Sequence, residues 1–204
     1  MKLLFCLFIL IAPHSSSSQE KIKEKIIEDL LVEIGTYKNI SIDFNLHYEN
    51  TRLNVKTNKK GKLKIEKDKF NLELDDQIII NNGEFQWTYL KDLNEVQITN
   101  NEIDVGLSNF SDLLKISKND YKISLLEDQL NFQLFELIPK KINSFIKIQI
   151  KVEKYNRTIS EIKVFDKDGG NFIYLINKFK YNQKINSFYF DSSKFPGIEI
   201  IDLR

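Results

Sequence analysis

Few side chains in this sequence can carry catalytic or metal chemistry. The 204 residues include two histidines and one cysteine, and Cys6 and His14 both lie in the first 14 residues. That leaves His47, which alternates with Asp43 and Asn45 as a solvent-facing strand residue does. One histidine without cysteine provides neither a histidine-based triad nor a zinc site. We therefore expect no enzyme activity, no cofactor and no metal.

One acidic pattern resembles a metal loop. Asp166-Lys-Asp-Gly169 resembles the start of a calcium-binding loop, but the twelfth position is Asn177, where such a loop needs glutamate. A hairpin turn is the favoured interpretation. The overall charge adds no other binding chemistry, because 30 Lys+Arg balance 29 Asp+Glu to a net charge of +1. No field favours nucleic acid or an anionic membrane surface.

The N-terminus has the form of an export signal. Lys2 precedes ten apolar residues, 3–12, and the small residues Ser15–Ser18 follow. This pattern predicts a signal peptide cleaved after Ser18, which exports residues 19–204 to the periplasm as a soluble chain. No cysteine lies at residues 15–20, so we expect no lipid anchor there. We expect one domain over residues 19–204, because no linker or change of composition divides them.

The remaining pattern predicts one long helix and then many strands. Apolar residues at helical spacing predict a helix over 20–34, which Gly35 ends. The period then changes to two from Ile40, and further turns are predicted at 58–61, 67–69, 81–83 and 91–94. Strands resume near Tyr121 and continue to a last one at Ser187–Phe190. Between the two sets, residues 105–115 have helical spacing.

These elements predict an α+β, mainly β fold. About ten antiparallel strands with one long amphipathic helix imply an open, strongly curved sheet, an incomplete barrel, covered by that helix and by a short second one. The inner face of such a sheet is rich in Ile, Phe, Trp and Leu. Either the helices fill it, or a cavity remains for an apolar ligand.

Three segments resemble the LolA-type family of periplasmic lipoprotein carriers, in its Bacteroidetes form. The first, within 72–98, has Gly83 after two Asn residues, then Trp87-Thr-Tyr89 and Asn94-Glu-Val96. The second is Phe188-Tyr-Phe190 followed by Phe195-Pro-Gly and Asp202, and the third is Val164-Phe-Asp-Lys-Asp-Gly169. The resemblance extends over nearly all of residues 20–204, with the segments in matching order.

The resemblance implies a monomeric, non-catalytic carrier in the periplasm. It would receive acylated lipoproteins from an inner-membrane ABC transporter, hold their acyl chains in the cavity and deliver them to an outer-membrane acceptor. Together with the strand alternation, it predicts these cavity residues: Ile42, Phe44, Leu46, Leu63, Ile65, Phe70, Leu72, Leu74, Trp87 and Tyr89. The corresponding lid helix would contain Phe110, Leu113 and Leu114.

One departure from the family pattern concerns the lid. The family often has an Arg, next to a Lys/Arg-Pro step, that tethers the closed lid, and this sequence reads Lys67-Asp68 there. Lys67 is the tether candidate, although an ammonium group donates single hydrogen bonds and has no planar fork.

Other interpretations remain open from the sequence. Trp87 and Tyr89 are also compatible with ordinary core packing, and Phe110, Leu113 and Leu114 with an ordinary packed helix. The alternative functions are a lipid-sensing domain of an envelope-stress pathway, which usually adds a second domain, and a carrier of another lipid. A lipid-directed enzyme would need a nucleophile and base, for which no motif is present.

Overall fold

A long helix precedes a large antiparallel sheet. The computed structural model describes residues 16–100, 118–141, 145–185 and 187–204. Within them the helix is α1 (Ser16–Thr36), and the strands are β1 (Ile40–Asn50), β2 (Val55–Glu66), β3 (Lys69–Leu74), β4 (Gln77–Asn81), β5 (Phe85–Leu90), β6 (Glu95–Asn100), β7 (Tyr121–Asp128), β8 (Phe132–Pro139), β9 (Phe145–Glu153), β10 (Thr158–Asp166), β11 (Gly170–Tyr181) and β12 (Glu199–Asp202). Short 3-10 turns lie at Lys118–Asp120 and Ser192–Lys194.

The predicted helix is confirmed, but it is longer than predicted at both ends and begins at Ser16 instead of residue 20. It continues through Gly35 to Thr36, whose Oγ1 donates a hydrogen bond to the Glu33 carbonyl at 2.7 Å. The side chain thus satisfies one of the last carbonyls, which have no partner within the helix. In the described part of the chain, no helix has the length and apolar character needed to cross a membrane.

All twelve strands belong to one open sheet. Their order is β12-β6-β5-β4-β3-β2-β1-β11-β10-β9-β8-β7. Every neighbouring pair is antiparallel except β12 and β6, which run parallel. The prediction of an open antiparallel sheet is confirmed, and β12 is an addition that the sequence pattern did not reveal.

The core lies between α1 and the face of the sheet that we call the inner face. Ile27, Leu30, Leu31 and Ile34 of α1 pack in one cluster with buried side chains from β1–β3 and β8–β11. The opposite face is called the outer face. Because successive side chains of a strand point to opposite faces, the register assigns every strand residue to one of the two.

The predicted turn at Asn58–Gly61 is wrong. Strand β2 runs straight through these residues, and the chain turns earlier, at 51–54, where Asn54 has a φ of 53°. The buried Asn50 side chain fixes this earlier turn, because its Oδ1 accepts hydrogen bonds from the backbone N–H groups of Arg52 and Leu53. Gly61 has a packing role instead: the Phe44 ring lies across it, and a Cβ at position 61 would overlap that ring.

The C-terminal segment also differs from the prediction. Residues 187–190 form no strand, and the last strand is β12 at Glu199–Asp202. Other turns are confirmed: Gly83 has a φ of 92° between β4 and β5, and Asn94 a φ of 50° between β5 and β6. Asp166–Gly169 forms the hairpin turn between β10 and β11, in which the Asp166 Oδ1 accepts a hydrogen bond from the Asp168 N–H at 3.0 Å.

Candidate functional site

Eight of the ten predicted cavity residues share the inner face. In the register, Ile42 lies opposite Leu63, which lies opposite Leu72 on β3. All eight belong to the inner cluster, seven as buried residues and Phe70 as a partly buried one packed against them: Ile42, Phe44, Leu46, Leu63, Ile65, Phe70, Leu72 and Leu74. The structure therefore brings these residues onto one apolar surface.

The same surface continues across five strands that the sequence analysis left out of the site. One row starts at Leu46 on β1 and crosses β11, β10, β9, β8 and β7, strand by strand, through Tyr174, Ile162, Ile150, Phe135 and Leu125. The middle four of these side chains are completely or almost completely buried. The alternation of apolar residues along β9 from Ile146 is as regular as that of β1 and is visible in the sequence. Strands β8 and β11 carry apolar residues on both faces, so their sequences do not show which face is the inner one.

Part of the inner surface stays accessible. Nine of the described hydrophobic residues pack against the buried cluster but keep some of their surface exposed: Tyr37, Phe70, Ile79, Tyr121, Ile123, Leu125, Phe172, Ile176 and Phe179. The interior itself excludes charge, and burial raises the pKa of the Tyr174 phenol at its centre. An acyl chain would meet hydrocarbon and aromatic rings on this face.

Trp87 and Tyr89 do not share this surface. Leu72 lies opposite Ile79 on β4, and Ile79 lies opposite Thr88 on β5. Thr88 therefore faces inward, and its neighbours Trp87 and Tyr89 face outward. The expectation that they line the same wall as Leu72 is wrong, because the register places the aromatic positions of β5 on the other side of the sheet.

The outward-facing aromatic residues form a second, smaller core under the C-terminal segment. We call residues 187–198 the outer cover. The Tyr89 ring lies 4.4 Å from that of Phe195 and 5.6 Å from that of Phe190, while Trp87 lies 5.8 Å from Tyr189. Ile80, Tyr89, Val96 and Phe188 are buried here and lie outside the inner cluster. Trp87 and Tyr89 thus have the core-packing role that the sequence analysis left open.

Two cavities follow the seam between α1 and the sheet. A cavity of about 410 Å³ is lined by Ile26 and Asp29 of α1 together with Gln133, Val152 and the start of the β9–β10 turn. Another, of about 200 Å³, is lined by Leu30, Ile34, Ile159, Phe179 and neighbouring residues. Arg157 lines both. A third cavity, of about 370 Å³, has mainly charged walls that include Asp43, Lys60, Lys62 and Glu73, so it is unsuited to acyl chains.

The structure describes the predicted lid tether but not the predicted lid helix. Phe110, Leu113 and Leu114, and the helix predicted over 105–115, lie outside the described residues. Lys67 is exposed in the turn between β2 and β3, with a φ of 57°. Its role as a tether stays a prediction.

The polar side chains of His47 and Glu136 contact polar side chains of neighbouring strands. The Nδ1 atom of His47 lies 2.5 Å from the Oδ1 atom of Asn58, and the two residues are opposite one another on the outer face. Glu136 accepts hydrogen bonds from Lys147 and Gln149, also on the outer face, and the Lys147 bond holds the pKa of its carboxyl below the usual value. Within the described ranges, no three His, Cys, Asp or Glu side chains are grouped so that they could hold a metal ion.

An open sheet with a continuous apolar inner face, partly covered by a helix, is an architecture that can accommodate an apolar ligand. The family comparison gives the specific assignment. Residues 35–193 match the model of the family "Outer membrane lipoprotein carrier protein LolA", and the chain belongs to this family. No curated protein matches it significantly.

Three solved structures that are similar to this chain have low sequence identity to it. A domain from Vibrio parahaemolyticus described as an outer membrane lipoprotein-sorting protein is 11% identical with a TM-score of 0.46, over 84% of this chain and 96% of that one. An uncharacterized conserved protein from Thermus thermophilus is 10% identical with a TM-score of 0.49, over 89% and 99%. A LolA superfamily protein from Nitrosomonas europaea is 9% identical with a TM-score of 0.42, over 81% and 98%.

Proposed function

We propose that this protein carries acylated lipoproteins through the periplasm, from an inner-membrane ABC transporter to an outer-membrane acceptor. Membership of the LolA family supports the class of cargo. The observation that carries the proposal is the inner face, where apolar side chains continue from β4 across β1 to β7. The proposal contains no catalytic step.

The energetics explain why such cargo needs a carrier. Transfer of a CH₂ group from water to an apolar site is favourable by about 0.8 kcal/mol. Two or three acyl chains of about 14 methylenes each would therefore cost on the order of 20–35 kcal/mol if they stayed exposed to water. Burial against an apolar face removes most of this cost for any acyl chain, whatever its exact structure. Different lipoproteins can therefore share one carrier.

Release requires that binding is not too tight. The α1 residues Ile27, Leu30, Leu31 and Ile34 already contact the inner face. Acyl chains that enter must compete with these contacts, so that part of the binding free energy is offset by the loss of helix packing. A carrier that works by competition can give up its cargo to an acceptor with a somewhat more favourable apolar site.

Strand β4 provides a matched pair of variants for the test. Ile78 and Ile79 are adjacent, identical in type and similarly half-buried, but they lie on opposite faces because Ile79 is opposite Leu72 and Ile78 is opposite Tyr89. A carboxylate at position 79 would place a charge beside the acyl chains, whereas one at position 78 would lie under the outer cover.

The experiment is release of lipoproteins from loaded spheroplasts, followed by native mass spectrometry of the recovered protein. We expect the wild type and Ile78→Asp to carry a one-to-one lipoprotein adduct, and Ile79→Asp to carry none while its circular dichroism spectrum is retained. Equal cargo on folded Ile79→Asp would contradict the inner-face site. Free lipid without lipoprotein on the wild type would contradict the carrier function and favour a lipid sensor or another lipid shuttle.

A further inference from the structure

Two turns at one end of the sheet expose large hydrophobic side chains almost completely. Leu130, between β7 and β8, is 91% exposed, and Tyr155, between β9 and β10, is 99% exposed. Among the other large hydrophobic residues in the described part of the chain, Leu53 has the highest exposed fraction, 69%. Single exposed hydrophobic residues are common on protein surfaces, so the informative feature is that the two extremes occur together.

The two turns are neighbours and are braced against each other. Strands β8 and β9 pair directly, with Phe132 opposite Glu153. The backbone N–H of Lys154 donates a hydrogen bond to the Asn131 carbonyl at 2.8 Å, and the Lys154 ammonium forms an ion pair with Asp128 at 2.6 Å. Leu130 and Tyr155 therefore project from two turns that are bonded to each other at the same edge of the sheet.

Neither side chain contributes appreciably to the fold. Turn positions favour Gly, Asn, Asp and Ser, and both turns contain such residues, so an exposed Leu and Tyr are not required to form them. The Asn156 Oδ1 closes the second turn by accepting hydrogen bonds from the N–H and hydroxyl groups of Thr158, at 3.3 and 2.8 Å. Exposed apolar surface that the fold does not use is available to a partner.

This end of the sheet is also where the seam cavities lie. Glu153 at the end of β9, together with Lys154 and Arg157 of the β9–β10 turn, lines the 410 Å³ cavity. Asn156, Arg157 and Thr158 line the 200 Å³ cavity. Both cavities are also lined by α1 and by a buried core residue of the sheet, Val152 in the larger cavity and Ile159 in the smaller one. A surface held against this edge would therefore lie beside the openings between the helix and the inner face.

We propose that Leu130 and Tyr155 dock this edge onto the surface of a lipid bilayer. A leucine side chain and a phenol, apolar with a polar tip, suit the boundary between headgroups and acyl chains. Of the two cations within residues 154–157, Lys154 is already paired with Asp128, so Arg157 is the one available to lipid phosphate groups. This inference goes beyond the proposed function, because bilayer binding can be measured without any lipoprotein.

The test is co-flotation of the protein, without cargo, with vesicles of phosphatidylethanolamine and phosphatidylglycerol. The test variant is Leu130→Ser/Tyr155→Ser. The matched control is Leu53→Ser/Leu93→Ser, which removes two turn residues, 69% and 65% exposed, from the opposite end of the strands. We expect the wild type and the control to float equally. The test variant should bind at least about tenfold more weakly, since it lacks the two apolar side chains that the bilayer would bury.

Three results would overturn this proposal. They are no flotation of the wild type, an equal loss for both double variants, and binding only to vesicles that contain membrane proteins, which would indicate a protein partner instead. Lipoprotein loading from detergent, read by native mass spectrometry, separates this proposal from the proposed function. Wild-type protein that floats but takes up no lipoprotein contradicts the carrier function alone, whereas loading without flotation contradicts the docking edge alone.

Discussion

The molecule has two apolar cores, on opposite faces of one sheet. Among the residues that the structure describes, the inner core contains 22 buried residues and connects α1 with strands at both sides of β1. Among the same residues, the outer core buries four hydrophobic side chains under the outer cover: Ile80, Tyr89, Val96 and Phe188. The sheet changes its apolar face at β4, where Ile79 faces inward and Ile78 and Ile80 face outward.

This change of face limits where cargo can bind. Beyond β4, the inward positions in the middle of β5 and β6 are polar, since Thr88 lies opposite Gln97 and Gln86 lies opposite Thr99. Leu90, at the end of β5 and opposite Glu95, is the apolar exception. The apolar inner surface therefore ends at Ile79, and we expect acyl chains over β1–β4 and β7–β11. The outer core is closed by the chain's own C-terminal aromatic residues, so it is a structural core, and the inner core is the one with surface left for a ligand.

The largest expected effect concerns the centre of the inner core. Phe44 is buried, packs across Gly61 and contacts the Tyr174 ring edge-on at a centroid distance of 5.6 Å. We expect Phe44→Ala to lower the free energy of unfolding by about 3–5 kcal/mol, because it leaves a cavity that the strands cannot close. Urea denaturation measures this change. A loss below about 1 kcal/mol would show that the inner core is loosely packed there.

The corresponding change in the outer core should be smaller and local. Phe195 is half-buried, stacks on Phe190 at 5.0 Å and lies 4.4 Å from Tyr89. We expect Phe195→Ala to cost about 1–2 kcal/mol and to speed amide hydrogen exchange in residues 187–202, with the inner strands unchanged. Faster exchange throughout β8–β11 would contradict the independence of the two cores.

The smallest effect concerns the end of α1 and depends on pH. Tyr37 stacks on Tyr181 at 4.0 Å and donates a hydrogen bond to the Glu33 carboxylate at 2.7 Å. Burial, with a further contribution from Glu33, raises the pKa of Tyr37 from 10.0 to about 12. The folded-state pKa lies above the unfolded one, so this stabilisation is complete below pH 10 and is lost as pH rises toward 12.

The measurement for this prediction is the urea midpoint of the wild type and Tyr37→Phe between pH 9 and 12. The difference between the two proteins should shrink as pH rises, since the wild type alone loses the contribution of the neutral phenol. A difference that stays constant over this range would show that Tyr37 titrates normally.

Much of this fold follows from alternation that is visible in the sequence. The period-two patterns of β1 and β3 predicted which of their residues share a face. The turns Asn81-Asn-Gly83 and Lys91-Asp-Leu-Asn94 predicted two hairpins. The turn predicted at Asn58–Gly61 failed because the residue types typical of turns were overridden by long-range packing. The Phe44 ring needs a glycine beneath it, which nothing within residues 58–61 reveals.

The assignment of Trp87 and Tyr89 failed for a different reason. Their spacing shows that they share a face, but it does not show which face, and β4 is apolar on both sides. A shift of one residue in register reverses all faces, so only the pairing of Leu72, Ile79 and Thr88 decides the matter. Likewise, Phe188 and Phe190 alternate as in a strand but serve as the outer cover.

Trp87, the only tryptophan in the sequence, provides the most direct test of the two-core account. A synthetic lipopeptide with brominated acyl chains would quench the fluorescence of a tryptophan that it contacts. We would compare the wild type with Phe70→Trp/Trp87→Phe, which moves the fluorophore to a half-buried inner-face position. With binding established by native mass spectrometry, the account predicts strong quenching of the inner tryptophan and almost none of Trp87. Quenching of Trp87 with an unaffected tryptophan at position 70 would contradict it.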